Sequence, residues 1–167
     1  RYLKVVCKLP RRFSRFWMRS DIAAMLLGVS SFIFASTFDV AAQTRTFKAE
    51  SAGLVGGASK LSDGVASGGS LVSLASPGQG IRFSNLPAAG KLAIRYASVT
   101  NGTISVTVNG QQPRKVNVHS SGALTNCVLR SIIDVAIPAN AVVSVSVATN
   151  DVAVNVHQVI VGDGALG

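Results

Sequence analysis

The chain has 167 residues, the length of one ordinary domain or of a small domain behind an address segment. Its formal charge of +9 is uneven: residues 1–42 carry seven bases and two acids, residues 43–167 nine bases and five acids. That split excludes a basic nucleic-acid face spread over the fold, and two cysteines, Cys7 and Cys127, exclude a disulfide framework and a zinc finger.

Taken in chain order, the first element is an address. Residues 22–38 are uncharged and mostly apolar, and they follow the basic stretch 11–19. A membrane-spanning helix needs about 20 predominantly apolar residues, so this run is short for an anchor. A basic start, an apolar middle and the small side chains of Val40-Ala41-Ala42 predict a secretory signal helix, with Met18 as its start and cleavage before Gln43. Residues 1–42 are thus expected to be an N-terminal extension and signal peptide, and residues 43–167 one exported domain without membrane attachment after cleavage.

The exported segment reads as all β. It holds 19 Val, 15 Gly and 15 Ser, a composition of pleated strands punctuated by turns. Strands are predicted over 46–50, 70–75, 80–83, 91–98, 103–108, 114–119, 128–137, 143–147 and 152–161. Alternation is clearest in Thr103-Ile104-Ser105-Val106-Thr107-Val108 and Val143-Ser144-Val145-Ser146-Val147, where one face is apolar and the other hydroxylated. Ser76-Pro77-Gly78, Pro87-Ala88-Ala89-Gly90, Asn101-Gly102, Asn109-Gly110 and Pro138-Ala139-Asn140 supply the turns. Around nine short strands and no helix of useful length predict a two-sheet sandwich. Its core should contain Leu92, Ile94, Tyr96, Ile104, Val106 and Val108. Asn101-Gly102-Thr103 is formally a glycosylation sequon and also reads as a hairpin turn, the reading preferred here.

Several motifs, in order, carry a family resemblance: Phe47-Lys48-Ala49-Glu50, Ala66-Ser67-Gly68-Gly69, Leu86-Pro87-Ala88-Ala89-Gly90-Lys91 running to Arg95-Tyr96-Ala97, Val108-Asn109-Gly110, Ile137-Pro138-Ala139-Asn140, and Asn155-Val156-His157-Gln158-Val159-Ile160-Val161. Residues 46–161 resemble carbohydrate-binding modules of families 35 and 6, calcium-associated jelly rolls of the galactose-binding-like type, often joined to secreted glycan-active enzymes. The resemblance implies a β-sandwich jelly roll, secretion, and a polysaccharide or oligosaccharide partner. It implies a sugar site of Asn155 with Asn126 and Thr125 in the loop 120–126. It also implies a structural calcium ion with Glu50 as a ligand. Where those families place a second acid, this chain has His157, and imidazole is a poor ligand for an ion that prefers hard oxygens.

The residues read directly point away from catalysis. There is no Gly-x-Ser-x-Gly elbow and no close His and carboxylate cluster. Cys127 reads as a small buried hydrophobe. Three aromatics remain after residue 43, namely Phe47, Phe83 and Tyr96, and no Trp, so a stacking platform for sugar is missing. The expected function is weak, non-catalytic carbohydrate binding; the alternative is a structural or adhesive sandwich that no longer binds sugar.

Overall fold

A computed structural model describes residues 43–64 and 66–166. The signal helix and cleavage point expected within residues 1–42 lie outside the described residues. The described residues belong to one compact unit, Asp39–Gly167.

Eleven strands form among them. In chain order they are β1 (Arg45–Lys48), β2 (Gly53–Val55), β3 (Ser59–Ser62), β4 (Ser70–Leu74), β5 (Gly80–Leu86), β6 (Ala89–Ala97), β7 (Gly102–Val108), β8 (Arg114–Val118), β9 (Leu129–Ile137), β10 (Ala141–Ser146) and β11 (Val154–Gly162). One 3-10 turn, Ala49–Ser51, follows β1. The first sheet runs β3-β4-β11-β6-β9, with β1 also paired to β11; the second runs β2-β5-β10-β7-β8. Every strand pair is antiparallel. The fold is an all-β sandwich of the jelly-roll kind.

The alternation explains the layers. Ile104, Val106 and Val108 of β7 and Val143 and Val145 of β10 point into the space between the sheets, opposite Leu92, Ile94 and Tyr96 of β6. All six residues expected in the core are buried there. Removing that apolar surface from water, at roughly 25 cal/mol per Å², is the main favourable term for the fold. Tyr96 keeps its hydroxyl satisfied: it accepts from the His119 N–H at 3.0 Å and meets Ser131 Oγ at 3.1 Å. A second, smaller cluster of Ala93, Ile160 and Leu166 forms where the C-terminal tail folds back.

Two expectations are corrected. Eleven strands form instead of about nine, because β2 and β3 are short edge strands whose side chains are all exposed. They are held by backbone pairing to β5 and β4 and carry no apolar alternation to read. Asn101-Gly102 is no hairpin turn, since β6 and β7 lie in different sheets. The segment crosses between the sheets, and Asn101 Oδ1 accepts from the Ser120 N–H at 2.7 Å.

Strand β11 positions the site. All nine of its residues are buried. On one side it pairs with β6 along its length. On the other it pairs first with β4, through residues 154–156, then with β1, through residues 158–161. Residue 157 sits at the seam between those two partners.

Candidate functional site

The register of β11 slips against β6 between Val156 and Gln158, so His157 is an extra residue in a β-bulge. Val154 and Val156 face the core, and so do Val159 and Val161. The spacing of three between Val156 and Val159 is the trace of the bulge. Asn155 and His157 therefore turn to the outer side of the first sheet, where two loops, residues 63–69 and 119–128, cover them.

Asp63 holds those loops together. Its carboxylate accepts from the Ala66 N–H at 3.1 Å through one oxygen and from the Asn126 N–H at 2.8 Å through the other. It is 4% exposed, so both bonds form away from bulk water. Charge-assisted bonds of this kind are about twice as strong as neutral ones. From beneath, Asn155 donates its amide to the Leu124 carbonyl at 2.7 Å. Beside it, Ser121 and Ser98 exchange bonds that stitch residues 119–123 to the β6–β7 crossing. The result is a loop end fixed from three sides.

The residues expected at a sugar site are brought together there. Asn126 is exposed, adopts the left-handed conformation at φ 61°, and contacts Thr125 Oγ1 only at 3.5 Å. Thr125 is half-buried beside Leu124, which is 39% exposed. Asn155 is 2% exposed, and its amide is spent on the loop, so it positions Leu124 and the residues around it. Asp63 was missed as a member of this cluster. Its local tie is the bond from the Ala66 N–H, three residues on. Its bond to residue 126 spans 63 positions and leaves no mark in the sequence. Cys127 is exposed at this loop, contrary to the expectation of a buried hydrophobe.

At the seam, Glu50 lies in the turn after β1. Its Oε1 is 3.9 Å from Lys48 Nζ, while its Oε2 is buried with no hydrogen-bond partner. His157 is similar: Nε2 lies 3.1 Å from Ser67 Oγ, and Nδ1 is buried and unpartnered. Burial is the largest influence on this imidazole and lowers its pKa below the usual 6.5. The Arg95 guanidinium acts the same way, against the opposing pull of the Ser67 backbone, Asp63 and Glu50. The ring is neutral near pH 7.

These donors do not fit the calcium ion that the family resemblance implies. Calcium takes six to eight oxygen ligands. Here one carboxylate oxygen and one imidazole nitrogen are unpartnered, and an ammonium stands beside the carboxylate. Among the described residues no three His, Cys, Asp or Glu side chains converge as metal ligands.

The second sheet offers a different surface. A cleft of about 610 Å³ lies on it, and its lining includes Val55, Arg82, Thr107, Asn109, Ser144 and Ser146. Ser144 pairs in register with Arg82 on one side and Thr107 on the other, so hydroxyls and one guanidinium share the row.

No family model matches the chain. No curated protein matches it either. Solved structures do. A family 35 carbohydrate binding module from Clostridium thermocellum superposes with a TM-score of 0.62 at 22% identity, over 70% of this chain and 98% of that one. The exo-beta-1,3-galactanase of Phanerochaete chrysosporium, solved with galactose, gives 0.64 at 21% identity over 71% of this chain. The catalytic domain of a GH87 alpha-1,3-glucanase, in complex with tetrasaccharides, gives 0.64 at 22% identity over 73% of this chain. This chain spans only 29% and 28% of those two enzyme chains. At such identities the shared property is the fold, and the chain has the jelly-roll sandwich of a family 35 module.

Proposed function

We propose that the chain is a secreted, non-catalytic module that binds a polysaccharide or oligosaccharide weakly at the loop end of the first sheet. The observation that carries this reading is the clamp of Asp63 and Asn155, which fixes the loop 119–128 and leaves Thr125 and Asn126 at its surface. A hydroxyl and a primary amide provide both donors and acceptors, the complement of paired sugar hydroxyls. The shared fold with a carbohydrate binding module supports the same reading. Apolar contact at this end would come from exposed Leu124 and not from an aromatic ring. Affinity should therefore be about millimolar, roughly 4 kcal/mol of binding free energy.

The absence of catalysis is part of the proposal. Four of the five acids after residue 42 have structural ties: Asp63 in the loop clamp, Asp151 in a network on the second sheet, Asp163 accepting from the Gly90 N–H, and Glu50 beside Lys48. A glycosidase would need a pair of carboxylates facing a common substrate. A catalytic domain joined to this module is the partner such a role suggests.

The experiment is titration with galactose-containing and uronic-acid oligosaccharides while amide shifts are followed. Saturable shifts at Thr125, Asn126 and their neighbours, abolished in Asn155→Ala as the loop loses its anchor, are expected. Shifts confined to Arg82 and Ser144 would move the site to the second sheet and overturn this placement. Silence across the panel would favour the alternative, a structural or adhesive sandwich. That reading has its own support, since Asn155 and Asp63 are both engaged within the protein.

A further inference from the structure

The seam at His157 holds a charge problem that the sequence solves in an uncommon way. Glu50 presents a carboxylate with one buried oxygen lacking a partner, and a buried charge needs compensation. On β11 the neighbouring group is a neutral imidazole, whose Nε2 is already set against Ser67. Glu50 has an ion-pair partner in Lys48 of β1, two residues before it, with Nζ 3.9 Å from Oε1. The loop 63–69 closes over this pair at Gly68. A Cβ there would lie 2.8 Å from Glu50 Oε1 and 2.8 Å from Lys48 Nζ, and φ is +119°. At that φ a residue with a side chain would be strained, and its Cβ would press on the ends of both side chains.

We propose that the Lys48 ammonium is the resident cation of this seam, doing for Glu50 what a bound divalent ion would do, and that the domain takes up no calcium there. Three features act together. The donor set has lost the hardness calcium requires, with His157 in place of a carboxylate. A divalent ion at Glu50 would also meet the ammonium within ion-pair distance and be repelled by it. Gly68 leaves room for the half-exposed lysine head beside the loop. Through this clasp the turn after β1, the loop 63–69 and the bulge of β11 share one tethered charge, which cannot be removed by a chelator. The inference does not rest on carbohydrate binding.

Thermal unfolding of the full chain tests it, in millimolar calcium and in EGTA. The wild-type midpoints should coincide, and isothermal titration with calcium chloride should show no saturable heat. Lys48→Met should lower the midpoint in EGTA by about 2–8 °C. The matched change Lys60→Met, on exposed β3, should leave it unmoved. Combining Lys48→Met with His157→Asp restores a second carboxylate and removes the ammonium, so calcium should now raise the midpoint. A saturable rise of the wild-type midpoint with calcium would overturn the proposal. So would a Lys48→Met protein that melts with the wild type in EGTA. If the double variant does not fold, the wild-type and single-variant measurements still decide.

Discussion

Asp151 offers the sharpest test of how the second sheet is held. It lies in the turn between β10 and β11, and its side chain has no exposed surface. Four groups donate to its carboxylate: Thr103 Oγ1 at 2.6 Å, Ser105 Oγ at 2.7 Å, Lys115 Nζ at 2.7 Å and the Ala148 N–H at 2.9 Å. One residue thereby joins β7, β8 and its own turn. Each bond to a charged group is worth about 1.5–3 kcal/mol taken singly, but four bonds sharing two oxygens do not add. Removing one partner of a buried pair costs about 3–5 kcal/mol, and that is the loss expected for Asp151→Ala. Lys115 is half exposed and regains water when released, which keeps the figure toward the lower end. Asp151→Asn keeps the shape and one acceptor, and should cost about 1–3 kcal/mol. The pH dependence separates charge from shape. Burial alone would raise the carboxyl pKa, but the bonds from Lys115, Thr103, Ser105 and Ala148 outweigh it and hold the pKa below 3.8. The charge-dependent stability is therefore full above about pH 4 and is lost as pH falls through the depressed value, because the unfolded chain then binds the proton more readily. Urea unfolding followed by circular dichroism should show a constant gap between wild type and Asp151→Asn from pH 7 to 5. That gap should narrow toward pH 3. Equal stabilities at pH 7, or a gap unchanged at pH 3, would refute the reasoning.

Three further outcomes are expected. Ile94 is fully buried between the sheets, so Ile94→Ala should cost about 2–5 kcal/mol in urea unfolding; a loss below 1 kcal/mol would mean that the site collapses around the cavity. His157 has a folded pKa below 6.5, so stability should be full above that pH and fall as pH drops through the lower folded value. The midpoint of His157→Gln should lack that acid-side decline, and parallel pH curves for the two proteins would contradict it. Exported material should begin at or near Gln43 by N-terminal sequencing, and a membrane-bound form retaining residues 22–38 would overturn the signal reading.

What could be read in advance followed one physical rule. Where a strand has one face in the core, its side chains alternate, and β7 and β10 are legible in that way. Where pairing rests on backbone alone, as in β2 and β3, no alternation exists and the strands went unread. Turn chemistry marked breaks correctly but not what they connect. Asn101-Gly102 suits a tight hairpin, yet here the amide of Asn101 caps the Ser120 N–H while the chain changes sheets. The candidate site was half legible. Thr125 and Asn126 lie at the surface of the loop, whereas Asn155, expected to meet a sugar, is buried beneath it. The groups that hold the loop act over long separations: Asp63 to residue 126, and Asn155 to residue 124. The bulge at His157 did leave a signal, since Val154 and Val156 are followed by Val159 and Val161, one residue out of phase.

The same geometry bears on how a weak site could be useful. A buried Asn whose amide is bonded to a loop carbonyl stabilises the loop but offers little to a ligand, and Asp63 likewise spends both oxygens inside the protein. What remains for a sugar is a short polar edge with one aliphatic neighbour, Leu124. Such an edge lacks the flat π-face that would add contact area at small entropic cost. It is, however, held rigid before any ligand arrives, so little ordering entropy is lost on binding. An edge that binds at the proposed millimolar strength is poorly suited to capturing a free oligosaccharide by itself. Its effective concentration rises only where a second, linked unit holds the same polymer, as a joined catalytic domain would. Under the proposed function, apparent affinity for a polymer should therefore exceed that for a short oligosaccharide when the module is linked to a second glycan-binding unit. When the module acts alone, binding should follow only the concentration of sugar repeats.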